Sequence, residues 1–153
     1  MKIYVYKSLR MLICHADDKV ILRAPIQLGS GSDAGPKRRE GDGRTPEGCY
    51  HISSRNPQSK FHLALGISYP NAADALYGHT VGLIDDLCLE RILASPERPP
   101  WDTPLGGFIM IHGQPNEGAC SGDWTAGCIA LQDADMDRLY ANAHIGDDVI
   151  ITA

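Results

Sequence analysis

Three short β-type runs follow one another in the first 29 residues: "IYVY" (3–6), "MLIC" (11–14) and "VILRAPIQLG" (20–29), the last entered through the Asp17-Asp18 turn. They read as a hairpin or meander, so the chain opens by building sheet, and whatever follows must pack on it. The next stretch has the opposite character. Residues 29–48, "GSGSDAGPKRREGDGRTPEG", are rich in Gly, Ser, Pro and charge and have no periodicity, which predicts a long surface loop. A loop of that length inside a compact domain is a candidate rim of a site.

Strands resume in "CYHISS" and "KFHLALGISYP". Asn71 is placed to cap a helix through "AADALYG", and a second helix covers "LIDDLCLERILA", where Ile84, Leu87, Cys88, Arg91 and Ile92 recur near helical spacing. The Pro-rich "SPERPPWDTPLGG" ends it. "GFIMIHG" is a buried-type strand ending at His112. Asp133 then caps "ADMDRLYANAH", with Met136, Leu139 and Tyr140 on one face, and Gly146 turns the chain into a last strand, "VIIT". This order predicts an α+β, β-rich protein on a mainly antiparallel or mixed sheet, and 153 residues suit one domain, 1–153.

Composition narrows the partners. A formal charge of -5 argues against a nucleic-acid binder, which needs a basic face, and the scattered aromatics offer no base-stacking platform. With 43% hydrophobic and 22% charged residues, membrane insertion is not indicated either. No Cys-x2-Cys or His-x3-His grouping occurs, so no metal or other cofactor is expected. The N-terminal segment lacks the residue order of a signal peptide, and five cysteines are an odd number. Both favour a cytoplasmic location, with the periplasm or cell wall as the alternative if a leader was removed or export takes another route. Cys14, Cys49 and Cys88 read as core residues and Cys120 as a spectator.

Cys128 is placed differently, on a Gly-flanked loop, "GDWTAGCIAL", that runs straight into an apolar segment. His112 ends an apolar strand where the chain surfaces at Gly113. If the two strand ends are neighbours, imidazole and thiol meet, and the imidazole can convert the thiol, with a free pKa of about 8.5, into the nucleophilic thiolate. Gly127, with no side chain, lets the N–H groups of residues 127 and 128 approach a carbonyl under attack, as an oxyanion hole requires.

Together "FIMIHG", "WTAGCIAL" and the upstream "EGDGRTPEGCYHI" resemble the YkuD-type L,D-transpeptidase family. Its signature is a His-Gly or His-Ser strand end, a gap of some fifteen residues, then Ser/Thr-x-Gly-Cys; here fifteen residues, 113–127, separate His112 from Cys128. Thr45, Pro46 and Gly48 match the family's Thr-Pro-x-Gly turn. The resemblance implies a YkuD-like mixed β-sandwich or half-open sheet with short flanking helices. It also implies Cys128 as nucleophile, His112 as base, the Gly113 carbonyl as acceptor for His112 Nδ1–H, and oxyanion donors around Gly127 and Cys128.

Two departures stand out. The family often has His before the Gly-Cys pair and Arg two residues after it, where this chain has Ala126 and Ala130. Arg44, Arg38 or Arg39 from the long loop could substitute in reading a substrate carboxylate, the alternative being solvated charges, and Tyr69, Asn71, Trp124, Thr125 and Ala126 are the expected cleft lining, with packing as the alternative for Tyr69, Asn71 and Trp124. The resemblance implies acyl transfer on the L,D bond after meso-diaminopimelate in peptidoglycan stem tetrapeptides. Water is the favoured acceptor, which makes the reaction an L,D-carboxypeptidase step in wall-peptide recycling. A stem amine giving 3-3 crosslinks, release of a wall-attached protein, and an idle domain that only binds wall peptides are the alternatives.

Overall fold

Alternation decides the first strands. In a computed structural model describing residues 1–153, β1 (Lys2–Tyr6) buries Ile3 and Val5, β2 (Met11–Ala16) buries Leu12 and Cys14, and β3 (Lys19–Pro25) buries Leu22 and Ala24. The three pair antiparallel, as the meander reading predicts. The remaining strands are β4 (Gly48–Ser59), β5 (His62–Ile67), β6 (Met110–His112), β7 (Ile129–Ala130) and β8 (Asp148–Thr152). They extend one mixed sheet in the order β3-β2-β1-β8-β4-β5-β6-β7, with β1–β8 and β6–β7 parallel.

This sheet curls. β4 pairs with β8 through Gly48–His51 and with β5 from Ile52 onward, and register shifts along it bend the strand between the two halves. The curl brings the two edges together. Gln27, just beyond β3, exchanges both backbone hydrogen bonds with Ala130 of β7, at 2.9 and 2.8 Å. Twenty-two buried residues fill the interior, among them Ile111 and Ile129, both fully buried from adjacent strands. Burying each such side chain contributes about 1.5–3 kcal/mol relative to leaving it in water.

Three short helices complete the chain: α1 (Ala72–Thr80), α2 (Asp86–Leu93) and α3 (Asp133–Asn142). Asn71 caps α1, as its sequence predicts, and closes a capping box with Asp74. α1 and α2 pack around a separate small cluster of Ala75, Ile84, Ile92 and Leu105. Leu87, expected on that inner face, is 75% exposed, because α2 turns Ile92, Cys88 and Leu89 inward instead. The cap of α3 also differs. Gln132 is its N-cap, and Asp133 Oδ1 instead accepts the Gln114 backbone N–H at 2.9 Å, tying α3 to the segment after His112. No helix is long and apolar enough to cross a membrane.

The 29–48 segment is a loop apart from a 3-10 turn at Ser32–Ala34, but it is not a surface loop throughout. Lys37 and Thr45 are buried. Thr45 Oγ1 accepts the Gly29 N–H at 3.0 Å, and the Thr45 carbonyl accepts the buried Lys7 ammonium at 2.7 Å. A Thr-Pro turn thus pins the loop beneath the nucleophile segment. Of the cysteines expected in the core, Cys14 is buried, Cys88 half-buried and Cys49 exposed; Cys49 lies near the start of β4 on the outward phase of its alternation.

Candidate active site

The parallel pairing of β6 with β7 sets Ile111 opposite Ile129 and His112 opposite Ala130. Side chains alternate along each strand, so Ile111 and Ile129 enter the core while His112 takes the other face. Cys128, one step before Ile129, falls on that same face. Both open into one cleft of about 520 Å³, walled by Phe61, Phe108, Met110 and Lys60.

His112 is held on three sides. Its Nδ1 lies 2.7 Å from the Gly113 carbonyl, so Nδ1–H donates there and Nε2 is left with its lone pair toward the cleft. Phe61 stacks on the ring at 4.5 Å and 20°, and Trp124 leans on it at 5.7 Å. Burial under these aromatics pushes the imidazole below its usual 6.5, outweighing the opposing effect of the Gly113 hydrogen bond. The ring is therefore neutral at pH 7. Gly113 has to be glycine: a Cβ there would meet Asp133 Oδ1 at 2.6 Å and His62 Cβ at 2.8 Å.

Cys128 rests as a thiol. Burial pushes it up to about 11, against the Met110 N–H, which reaches Sγ at 3.4 Å and favours the thiolate. The S–H donates to the Phe108 carbonyl at 3.2 Å, and no hydrogen bond joins Sγ to the imidazole in this resting state. Phe108 sits at φ 56, the left-handed region, and its ring lies 4.6 Å from Trp101, tilted at 52°. Its carbonyl is thereby turned toward the sulfur at some cost in backbone strain.

Thr125 organises the nucleophile loop from below. It is buried; its hydroxyl donates to the Cys128 carbonyl at 2.7 Å and accepts the Gly127 N–H at 3.2 Å. The Cys128 N–H is left without a partner in the protein. Of the two expected oxyanion donors, one is thus free and one is weakly engaged.

The other expected lining residues divide. Trp124 reaches the imidazole, whereas Thr125 lies beneath the loop and Ala126 is exposed beside it. Tyr69 and Asn71 are not in the cleft. Tyr69 is fully buried against Tyr50 and donates its hydroxyl hydrogen to the Leu105 carbonyl at 2.8 Å, while the Asn71 side chain is consumed by the α1 cap. Arg44 is not in the cleft either. Its carbonyl abuts Gly127, but its side chain lines a separate recess with Arg38 and Arg39.

Four contributors carry no local signal in the sequence: Phe61, Phe108, Gln27 and the buried Gln114. Gln27 Oε1 accepts both Trp124 Nε1–H and Gln114 Nε2–H at 2.9 Å, and Gln27 Nε2 donates to the Cys120 carbonyl at 2.7 Å. Gln114 Nε2 also donates to the Leu131 carbonyl at 2.9 Å, and its Oε1 accepts the Cys120 N–H at 3.0 Å. The two amides fasten the wall that Trp124 presents to His112. Gln27→Leu leaves two N–H donors unpaired, and the expected loss is about 1–3 kcal/mol in urea unfolding. A change below about 0.5 kcal/mol would mean that water replaces the amide.

Comparison with known proteins bears on family and fold. Residues 1–151 match the family model for YkuD, the L,D-transpeptidase catalytic domain. L,D-transpeptidase YafK of Escherichia coli (strain K12) is 27% identical over 108 residues, which is 69% of this chain and 30% of that protein. Among solved structures, the helical cell shape determining protein Pgp2 from Campylobacter jejuni superposes with a TM-score of 0.68 at 22% identity, covering 98% of this chain and 46% of that one. An L,D-transpeptidase from Mycobacterium smegmatis gives a TM-score of 0.55 at 18% identity, covering 99% of this chain and 58% of that one. The structural matches are likenesses of fold, and the chain spans only part of each of these proteins.

Proposed function

Because the chain belongs to the YkuD family of L,D-transpeptidase catalytic domains, we propose that it is a cysteine acyl-transfer enzyme acting on peptidoglycan stem tetrapeptides, with water as acceptor. The observation that carries this reading is the placement of Cys128 and His112 on one face of paired strands, with His112 Nδ1 tied to the Gly113 carbonyl. The neutral imidazole presents a basic Nε2 to the cleft. The thiol leaves the Phe108 carbonyl and gives its proton to Nε2 as sulfur attacks the carbonyl carbon between meso-diaminopimelate and D-Ala.

The oxyanion that forms is met by the free Cys128 N–H, with the Gly127 N–H available if it releases Thr125. Collapse breaks the C–N bond, the imidazolium protonates the departing D-Ala amine, and a thioester remains on Cys128. Water then attacks the thioester, gives its proton to Nε2, and the C–S bond breaks to restore the thiol. Five cysteines, an odd number, suit a reducing compartment, and this supports water and recycled wall peptides over crosslinking of mature wall.

Mass spectrometry of a disaccharide-tetrapeptide incubated with the protein, beside Cys128→Ala, tests the reading. The expected product is the tripeptide, short by one D-Ala and without dimer. A dimer would move the acceptor to a stem amine. An unchanged substrate would leave the site as a peptide-binding cleft.

A further inference from the structure

Arg38, Arg39 and Arg44 line a recess of about 450 Å³ that shares no residue with the Cys128 cleft. Asp42 is the carboxylate on its wall, and it is already occupied. Its Oδ1 accepts the Lys37 ammonium at 3.0 Å and the Arg44 N–H at 3.1 Å, and its Oδ2 accepts the N–H groups of Arg38 and Arg39 at 2.8 and 3.1 Å. Burial works against the Asp42 charge, yet these donors hold it below the usual 3.8, so the loop is clamped around a permanent anion. The clamp gathers three arginines while using only their backbones. None of the three guanidinium groups has an acidic partner.

Arg38 is further immobilised, with its guanidinium 4.0 Å over the Tyr77 ring. Beside it, Val81 is 56% exposed and gives the recess an apolar wall. Three uncompensated guanidinium groups on a chain of net charge -5 form a concentrated cationic feature, and their planar forks suit carboxylate or phosphate. The Arg44 carbonyl packs against Gly127, so one residue joins the recess to the nucleophile loop.

We propose that this recess is a binding site for an oxyanion-bearing ligand, its anionic groups held by Arg38, Arg39 and Arg44 and its apolar part resting on Tyr77 and Val81. The anion has two sources, a free carboxylate of the wall peptide or a phosphate group. Only the first rests on the acyl-transfer reading.

The test uses Cys128→Ala protein, which cannot form the thioester, and follows backbone amide and arginine side-chain NMR signals during titration. The probes are the disaccharide-tetrapeptide, the same peptide with its carboxyls amidated, and inorganic pyrophosphate. Signals of residues 38–44 and Tyr77 are expected to shift, with affinity falling about tenfold or more in Arg38→Gln/Arg39→Gln and weakening at high salt. A response to the free-carboxylate peptide that amidation abolishes assigns the carboxylate source. A response to pyrophosphate alone assigns phosphate, and it holds even if the wild-type protein cleaves no wall peptide. If none of the probes shifts these signals, or if the double variant binds them as tightly as its parent, the proposal is overturned. Tetrapeptide cleavage by wild-type protein, measured separately, shows whether the acyl-transfer reading survives that result.

Discussion

Cys128→Ala is expected to bring tetrapeptide turnover to background, about 10⁴-fold or more below the parent, because the cleft holds no other thiol to carry the acyl group as a thioester. His112→Ala is expected to lower kcat by about 10²–10⁴-fold, the usual worth of a positioned general base. The imidazole matters more here than it would beside an acidic thiol. With the Cys128 thiol pushed up to about 11, the resting thiolate fraction at neutral pH is negligible, so proton removal belongs to the chemical step.

The pH profile follows from the same two groups. His112 acts only when neutral, and burial places its titration below 6.5, so kcat/KM is expected to hold through neutral pH and fall on the acid side below that value. Stability shares the direction. The unfolded chain takes up the His112 proton more readily than the folded one, so this contribution to stability is present above 6.5 and declines as pH falls. Steady-state kinetics from pH 4 to 9, with unfolding followed over the same range, checks both. If His112→Ala keeps kcat within threefold of the parent, the thiol is activated by another group and the mechanism is wrong.

What the sequence made legible was local. Alternation in "IYVY" and "MLIC" marks the meander, Asn71 ahead of "AADALYG" marks a cap, and His112-Gly113 and Gly127-Cys128 mark two strand ends that the parallel β6–β7 pairing then brings together. The rest depends on where side chains meet after the sheet has curled. Phe61 covers His112 from a turn far upstream, and Gln27 reaches Gln114 across 87 residues. Neither contact leaves a spacing to read.

Tyr69 and Arg44 failed as cleft residues for opposite reasons. An aromatic beside a Pro-Asn turn serves a binding rim or a core equally well by its chemistry, and here the core claims it. An arginine in a Gly-rich loop can leave by either side. The Asp42 clamp, which binds backbone N–H groups and not guanidinium groups, sends Arg44 away from the nucleophile.

Gly127→Ala is expected to damage the site as severely as loss of a catalytic group while removing none of the catalytic side chains. Gly127 sits at φ +140, where an alanine is strained by about 1–3 kcal/mol, and its new Cβ would lie 2.8 Å from the Arg44 carbonyl and 3.0 Å from Ile109 Cδ1. Neither neighbour yields easily. The Arg44 carbonyl belongs to the loop pinned by Thr45 and Asp42, and Ile109 is buried in the core. The 125–128 loop must therefore move, and with it the Cys128 N–H and the Thr125 hydroxyl that braces the Cys128 carbonyl.

A displaced oxyanion donor costs about 10²–10³-fold in kcat. The expected result is thus a fall of that size in kcat, with a lower urea midpoint and with slow alkylation of Cys128 still detectable. Unimpaired kcat in a destabilised Gly127→Ala protein would show that the loop's N–H groups do not receive the oxyanion. The donor would then have to be sought on the Phe108–Met110 side of the cleft, where the Met110 N–H already faces the sulfur.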